Sequence, residues 1–396
     1  MATTSFEPWV IRLLAWLDWA GSADDAASLA DHPPGGPGPA PEHPLCSAPN
    51  QPDAARESAP DFNALALELF ALQFLHVEPY RRYCEHLGQS PDCVSNWSAI
   101  PCIPAAGFKE FDLTSLPAQD RRTVFHSSGT TGHHPGRHYH SPASLELYER
   151  SLRPWFARHL LPDRPRMRIL SLVPPASQAP NSSLAHMLTT VLRHHGTSPS
   201  LSAGRVGPDG IWSLDLDRIL AELESACTNA EPLLLTGTAF GFVHLLDALS
   251  KRRLRTTLPA GSRLMETGGY KGRSRALSKT ALHSALTRTL GIPEPHIVSE
   301  YGMSELSSQA YDRPVGGSPP RRFRFPPWCA WRVISPETGQ SAALGETGLL
   351  QVIDLANAFS VLAVQTEDLA IAREDGFDYA GRARAAEGRG CSLMHP

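Results

Sequence analysis

The chain opens with apolar residues at helical spacing, interrupted by charges. In MATTSFEPWVIRLLAWLDWAG (1–21), Glu7, Arg12 and Asp18 break the apolar run, and no basic segment precedes it. A signal peptide needs such a basic segment, and a membrane span needs about 20 mostly apolar residues. The pattern therefore predicts an amphipathic helix over 1–21 that packs on the rest of the protein, and it predicts no membrane span.

The next segment, 22–60, has almost no large apolar residues. It holds nine prolines among many Ala, Gly and Ser residues. Such a composition buries too little apolar surface to offset the entropy lost on ordering. We therefore predict a disordered insertion over 22–60.

Helical periodicity returns at 61–88, where Asp61 is placed to cap the N-terminus. After Val124, short apolar runs alternate with helix-length segments. The predicted strands are TVFH (123–126), RMRILSLV (166–173), EPLLLTG (231–237), SRLMETGG (262–269) and PHIVSEYG (295–302), and the predicted helices are SSLAHMLTTVLRHHG (182–196), FGFVHLLDALSKRR (240–253) and SKTALHSALTRTLG (278–291). This alternation indicates βαβ units with a largely parallel sheet, so the fold class predicted for 61–330 is α/β.

From Trp331 the pattern changes to strands separated by turns. The strand-like stretches are WRVISPETGQ, ETGLLQVIDL, SVLAVQTEDLAIA and DGFDYAGRA. Such spacing is typical of an antiparallel meander or a small barrel. We therefore predict a β-rich subdomain over 331–396.

Charge and cysteine content narrow the classes of function. The 396 residues carry a net charge of −4, so no basic field would concentrate a nucleic acid or an anionic membrane surface. The seven cysteines are scattered and form no C-x-x-C pair, which argues against a disulfide framework and a structural zinc. They are typical of reduced thiols in the cytoplasm.

One loop rich in Ser, Thr and Gly carries the first candidate chemistry. The predicted strand TVFH runs into SSGTTG (127–132), whose amides and hydroxyls can surround phosphate oxygens. A Walker A loop would continue with Lys and then Ser or Thr, whereas this chain continues with His133, His134 and Pro135. Taken alone, the loop is more typical of a plain polar turn.

The loop is the first of four motifs that follow in order: SSGTTG, SEYGMSE (299–305), QTEDLA (365–370) and GRARAAEGRG (381–390). This order resembles the acyl-adenylate-forming superfamily of acyl-CoA synthetases, luciferases and nonribosomal adenylation domains. IPAAGFKEFDL, METGGYKGRSR and GRARAAEGRGCSL resemble more closely its acyl-protein synthetase branch, the LuxE-type long-chain fatty acid:protein ligases. The resemblance runs from about Asp61 to the C-terminus and implies a large α/β adenylate-forming domain, ATP and Mg²⁺ as cofactors, and a fatty or similar carboxylic acid as substrate.

Adenylation requires that a carboxylate attack the α-phosphorus of ATP, which gives acyl-AMP and pyrophosphate. The catalyst chiefly holds the reactants in line and neutralises phosphate charge. The resemblance implies that Arg137 stands where many relatives carry a lysine, and its planar fork suits phosphate. By the same resemblance, the β- and γ-phosphates are held by Ser127, Ser128, Gly129, Thr130, Thr131 and Gly132.

In SEYGMSE, the resemblance assigns Tyr301 to the adenine face, Ser304 to the α-phosphate and Glu305 to Mg²⁺. Gly302 would turn the chain after the strand. Magnesium sites of this kind combine one or two carboxylates with phosphate oxygens. Outside this context, Tyr-Gly after a strand is an ordinary turn.

Two further motifs would complete the nucleotide site. The resemblance assigns Asp368 to the ribose hydroxyls, although Glu367 replaces the glycine usual in this motif. In METGGYKGRSR, Gly268 and Gly269 would lie near the nucleotide. Lys271 and the arginines after it are either phosphate partners or solvated charges.

The C-terminal motif supplies the acyl acceptor. Full-length acyl-CoA synthetases continue into a mobile lobe past the hinge motif, whereas this chain ends at Pro396, so we expect that lobe to be truncated. The resemblance places Arg382 of the hinge motif among the catalytic residues. In acyl-protein synthetases a cysteine near the C-terminus becomes acylated, which points to Cys391. A thiol is a strong nucleophile even when only slightly ionised.

The leading hypothesis is a two-step ligase that forms an acyl-adenylate and transfers the acyl group to Cys391. We expect an acyl reductase as the protein partner that takes it onward. One alternative is a CoA ligase of the phenylacetate-CoA type, which the short C-terminus disfavours. The other is a degenerate nucleotide-binding scaffold, which the joint presence of Glu305, Asp368 and Arg382 disfavours.

Overall fold

The computed structural model describes residues 5–22, 61–127, 134–268 and 277–383. The predicted insertion 22–60 lies outside the described residues, apart from Ser22. The helices are α1 (Phe6–Ser22), α2 (Phe62–His76), α3 (Glu78–His86), α4 (Gly107–Glu110), α5 (Pro142–Leu160), α6 (Ser183–His195), α7 (Leu216–Thr228), α8 (Ala239–Lys251) and α9 (Lys279–Leu290). None of the helices in these ranges is long and apolar enough to cross a membrane.

The strands form two larger sheets and two hairpins. They are β1 (Ile103–Pro104), β2 (Thr123–His126), β3 (Arg137–His140), β4 (Arg168–Ser171), β5 (Leu201–Ser202), β6 (Gly204–Val206), β7 (Trp212–Leu214), β8 (Leu233–Thr238), β9 (Arg263–Thr267), β10 (Ile297–Tyr301), β11 (Ala310–Tyr311), β12 (Cys329–Ile334), β13 (Thr347–Asp354), β14 (Ala363–Arg373) and β15 (Gly376–Arg382).

The central sheet has the strand order β11-β10-β9-β8-β4-β5. All its pairs are parallel except that of β10 with β11. Every residue of β9 and β10 is buried, as expected for parallel strands covered on both faces. The predicted α/β class is confirmed, and helices α6, α8 and α9 lie where the periodicity predicts them.

The prediction that TVFH belongs to the parallel sheet is wrong. Strand β2 pairs antiparallel with β3 in a separate two-stranded sheet, with Thr123 opposite His140 and His126 opposite Arg137. The chain returns after a short loop, and a parallel pairing would need a crossover of a dozen or more residues. Helix α5, which follows β3, was not predicted, and a capping box between Ser141 and Ser144 begins it.

The second sheet is a meander of β12, β13, β14 and β15, and β1 joins it by parallel pairing with β14. The short strand β1 therefore ties the N-terminal part of the chain to its last strands. Its register places Ile103 opposite Val364.

The helices at the N-terminal end pack against this second sheet. Trp9 and Leu13 of α1 and Phe70 of α2 share one hydrophobic cluster with Trp328 and Val352. The predicted cap on α2 is confirmed, because the side chain of Asp61 accepts a hydrogen bond from the amide of Asn63.

A buried glutamine joins α2 to the loop before β14. Gln73 is fully buried, and its Nε2 donates to the carbonyls of Asn357 at 2.9 Å and Ala358 at 3.1 Å. Its Oε1 accepts from the amide of Leu362 at 2.9 Å. These bonds satisfy backbone groups that are shielded from water.

We predict that Gln73→Leu lowers the free energy of unfolding by about 2–4 kcal/mol, because a side chain of similar size leaves these backbone groups without partners. Urea unfolding measures the change. Gln340→Leu is the matched control, since Gln340 is exposed on a turn and should change stability by less than about 0.5 kcal/mol. Equal stability of the two variants would contradict the role of Gln73.

Candidate active site

The β2–β3 hairpin holds the two ends of the predicted phosphate loop together. The amide of Ser127 donates to the carbonyl of Gly136 at 3.0 Å, and the amide of Gly136 donates to Ser127 Oγ at 2.8 Å. We call this pair the neck. A Cβ on Gly136 would lie 2.7 Å from Ser127 Oγ and 3.1 Å from Glu305 Oε1. A glycine is therefore needed where the neck meets Glu305.

The segment after β10 docks on the same hairpin. Ser304 Oγ donates to the carbonyl of His126 at 3.0 Å, and His138 Nδ1 lies 2.8 Å from the carbonyl oxygen of Ser304. A carbonyl only accepts hydrogen bonds, so Nδ1 of His138 carries the proton. Burial lowers the pKa of His138 to about 4 and keeps the ring neutral at pH 7. SEYGMSE and the neck thus form one surface.

Glu305 is buried beside the neck, with 6% of its surface exposed. Burial raises the pKa of Glu305, whereas the Ser127 hydroxyl and the positive charges of Arg382 and Lys109 act to lower it. Its backbone carbonyl accepts from Asn357 Nδ2 at 2.9 Å, which fixes the turn. A carboxyl group in this position is suited to a magnesium ion that also binds phosphate oxygens.

Tyr301 joins the central sheet to the second sheet. Its hydroxyl donates to Asp368 Oδ2 at 2.8 Å, and Asp368 Oδ1 lies 3.6 Å from Arg382 Nε. Asp368 and Arg382 face each other across β14 and β15. Burial raises the pKa of both Tyr301 and Asp368. The ring of Tyr301 packs against Phe323, Phe325, Phe377 and Tyr379.

Two glycines lie at the carboxyl ends of the adjacent strands β9 and β10. Thr267 pairs with Glu300, so Gly268 follows directly beside Tyr301. Gly268 has a φ of +74°, a backbone conformation that favours glycine. A Cβ on Gly302 would lie 2.4 Å from Glu300 Oε1, so a larger residue here would displace the end of that side chain.

Arg137 and two other side chains contact the same carboxylate, that of Asp112. The guanidinium of Arg137 lies 3.2 Å from Asp112 Oδ1, and Asp112 also accepts from Arg121 at 2.8 Å and from the Tyr139 hydroxyl at 2.9 Å. The buried Nε of Arg137 has no hydrogen-bond partner within the described parts of the chain. The charge of Arg137 is partly balanced by Asp112.

The structure thus brings together Ser127, Arg137, Gly268, Tyr301, Gly302, Ser304, Glu305, Asp368 and Arg382. The other predicted site residues lie outside the described residues: Ser128, Gly129, Thr130, Thr131, Gly132, Gly269, Lys271 and Cys391. No motif pointed to His138, because nothing local in the sequence marks its bond to the Ser304 carbonyl.

The chain has the fold of adenylate-forming ligases. Solved structures of 2-hydroxyisobutyryl-CoA ligase in complex with 2-HIB-AMP and CoA match 81% of the chain at 15% identity. The open conformation gives a TM-score of 0.57 over 74% of that chain, and the thioesterification state gives 0.58 over 64%. At this identity the likeness shows the fold alone.

The family model for the acyl-protein synthetase LuxE matches residues 49–395. The protein therefore belongs to the LuxE acyl-protein synthetase family, which confirms the resemblance found in its motifs. It is 22% identical over 328 residues to the long-chain-fatty-acid–luciferin-component ligase of Vibrio harveyi, covering 80% of this chain and 82% of the relative. It is 23% identical over 322 residues to the ligase of the same name from Aliivibrio fischeri, covering 78% and 79%.

The depressed pKa of His138 predicts a pH dependence of stability. The pKa is about 4 in the folded protein, against an ordinary value of 6.5, so the unfolded chain binds a proton first as the pH falls. The contribution of His138 to stability is therefore fully present above pH 6.5. It is lost as the pH falls from 6.5 to about 4, by about 1.4 kcal/mol per pH unit.

We predict that His138→Asn, which keeps a donor for the Ser304 carbonyl, makes this decline less steep. Urea unfolding between pH 7 and pH 5 measures both slopes. If the variant and the parent protein lose stability equally over this range, His138 is not the neutral buried group described above.

Proposed function

We propose that the protein uses ATP to activate a fatty or similar carboxylic acid as an acyl-adenylate and then transfers the acyl group to the thiol of Cys391. The observation that carries the proposal is that residues of all four motifs lie in one site. Ser127 at the neck meets Glu305, and Tyr301 of the same segment binds Asp368 beside Arg382. Membership of the acyl-protein synthetase family agrees with this activity.

In the first step a carboxylate oxygen of the acid attacks the α-phosphorus of ATP, and pyrophosphate leaves. The loop 127–132 would hold the β- and γ-phosphates, and the guanidinium of Arg137 would donate hydrogen bonds to them. Ser304 would bind the α-phosphate. Glu305 would hold Mg²⁺, which supplies positive charge to the phosphates when bound. The residues act by position and charge, and no covalent bond to the protein forms in this step.

Asp368 and Tyr301 would hold the nucleoside. The carboxylate of Asp368 would accept hydrogen bonds from the ribose hydroxyls, and the Tyr301 hydroxyl keeps that carboxylate in place. Because Arg382 lies 3.6 Å from the other oxygen of Asp368, it favours the ionised carboxylate that accepting two hydroxyl donors requires. The ring of Tyr301 would face adenine.

In the second step the Cys391 thiolate attacks the acyl carbon of the adenylate, and AMP leaves with the bonding electrons. The result is a thioester on the protein. The long-chain-fatty-acid–luciferin-component ligases suggest that a long-chain acid is the substrate. We further propose that a partner acyl reductase consumes the thioester, and that the enzyme acts in the cytoplasm, where its scattered cysteines would stay reduced.

We predict that incubation with ATP, Mg²⁺ and tetradecanoate adds one acyl group to the intact protein, as measured by mass spectrometry. Cys391→Ser should lose this hydroxylamine-sensitive adduct yet keep acid-dependent exchange of pyrophosphate into ATP, because the first step does not use the thiol. Cys93→Ser is the matched control, since Cys93 is exposed, and it should keep the adduct.

An unchanged adduct in Cys391→Ser would contradict the acyl-transfer step. The CoA-ligase alternative makes a different prediction: with CoA present, acyl-CoA would form rapidly and independently of Cys391. If no carboxylic acid in a panel changes the rate at which the protein consumes ATP, the nucleotide-binding scaffold is favoured.

We also predict that Asp368→Asn raises the KM for ATP about 10- to 100-fold, because hydrogen bonds to a charged group are worth about 1.5–3 kcal/mol. The parent enzyme should discriminate against 2′,3′-dideoxy-ATP, and the variant should lose most of that discrimination. Pyrophosphate exchange measures both. Asp378→Asn is the control, since Asp378 pairs with Arg373 on the same strands and should not alter the KM. Retained discrimination in Asp368→Asn would contradict the ribose contact.

A further inference from the structure

The segment 305–308 belongs to no helix or strand, and buried side chains hold its backbone. Asp354, the last residue of β13, is fully buried. Its Oδ2 accepts from the amides of Ser307 at 2.9 Å and Ser308 at 2.8 Å, and its Oδ1 accepts from the Ser308 hydroxyl at 2.7 Å. Hydrogen bonds to an ionised carboxylate are stronger than bonds between neutral groups. Asp354 therefore fixes the second half of the segment.

Asn357 holds the first half of the segment, at Glu305. Only 1% of its surface is exposed. Its Nδ2 donates to the Glu305 carbonyl at 2.9 Å and to the Val361 carbonyl at 3.1 Å. Its Oδ1 accepts from Ser307 Oγ at 2.7 Å. Both polar atoms of the amide thus have partners, which fixes its orientation. We call Asp354 and Asn357 the clamp.

The clamp is separate from the contacts that hold the preceding residue. Ser304 is held by the β2–β3 hairpin, through the His126 carbonyl and the His138 ring. Glu305 lies where these two supports meet. Its Oε1 is 3.1 Å from the position that a Cβ on Gly136 would take, so the carboxyl lies at the neck while the clamp holds the backbone behind it.

We propose that Asp354 and Asn357 are positioning residues for adenylation. This inference rests on the proposed function. The clamp acts through Glu305, because it fixes the backbone from which that carboxyl reaches the neck. A displacement of about 1 Å in such a group can lower a rate about 10²-fold. Since pyrophosphate has left before the thiol attacks, the clamp serves the first step and not the transfer to Cys391.

The test compares Asn357→Leu with the parent protein at a temperature at which circular dichroism shows both to be folded. Leucine has a similar size but no donor, so the Glu305 carbonyl loses its partner. We expect kcat for acid-dependent pyrophosphate exchange to fall about 10- to 100-fold. The KM for the acid should stay within twofold. Acylation of Cys391 from synthetic acyl-AMP should proceed at the parent rate.

Ser307→Ala is a milder variant, because it removes only the donor that orients the Asn357 amide. Its kcat should fall about 3- to 10-fold, as for the loss of one hydrogen bond. Ser360→Ala is the matched control. Ser360 is equally buried in the same loop, and its hydroxyl donates to the Leu113 carbonyl at 2.7 Å instead of to the segment 305–308. Its kcat should match the parent even where urea unfolding shows a similar loss of stability.

An unchanged kcat in folded Asn357→Leu would overturn the inference. So would an equal loss of exchange and of acylation from acyl-AMP, because a general disturbance of the site would then explain both. If Asn357→Leu does not fold, an equal kcat in Ser307→Ala and Ser360→Ala would overturn it. Absence of exchange in the parent protein with every acid tested would instead reject the proposed function.

Discussion

The candidate site depends on the docking of the β2–β3 hairpin on the segment that follows β10. The hairpin does not belong to the central sheet, and among the described strands no ladder pairs β2 or β3 with that sheet. The bonds from His138 to the Ser304 carbonyl and from Ser304 to the His126 carbonyl hold the two together. The His138 ring is buried, so loss of the Ser304 carbonyl as its partner would leave a buried donor unsatisfied. The same docking lies next to Glu305, whose carboxyl is beside the neck.

A second joint connects the two sheets. The bond from the Tyr301 hydroxyl to Asp368 links the end of β10 with β14. The antiparallel pairing of β14 with β15 places Arg382 opposite Asp368. The candidate nucleotide site therefore lies where the parallel sheet, the antiparallel sheet and a separate hairpin meet, and each supplies a different group. Burial raises the pKa of Asp368 and Glu305, and a bound nucleotide with its cation would supply partners for both carboxylates.

The sequence pattern predicted those elements that depend on residues close together in the chain. Strands such as β8 and β9 and helices such as α8 were found because hydrophobic periodicity reports burial on one element. The motif order predicted Tyr301, Glu305 and Asp368 as site residues, and the structure places Tyr301 in contact with Asp368. Periodicity does not distinguish a parallel strand from an antiparallel one, so β2 was assigned to the wrong sheet. The pairing of Ile103 with Val364 depends on contacts far apart in the chain. The shared use of Asp112 by Arg137 and Arg121 likewise depends on packing between segments.

The central claim is that these groups bind one nucleotide. The most direct measurement is a crystal structure of the protein with Mg²⁺ and a non-hydrolysable ATP analogue. The account predicts that the triphosphate lies against the loop 127–132 and Glu305, the ribose hydroxyls on Asp368 and adenine against Tyr301. A nucleotide bound elsewhere, with Glu305 and Asp368 contacting no part of it, would contradict the account.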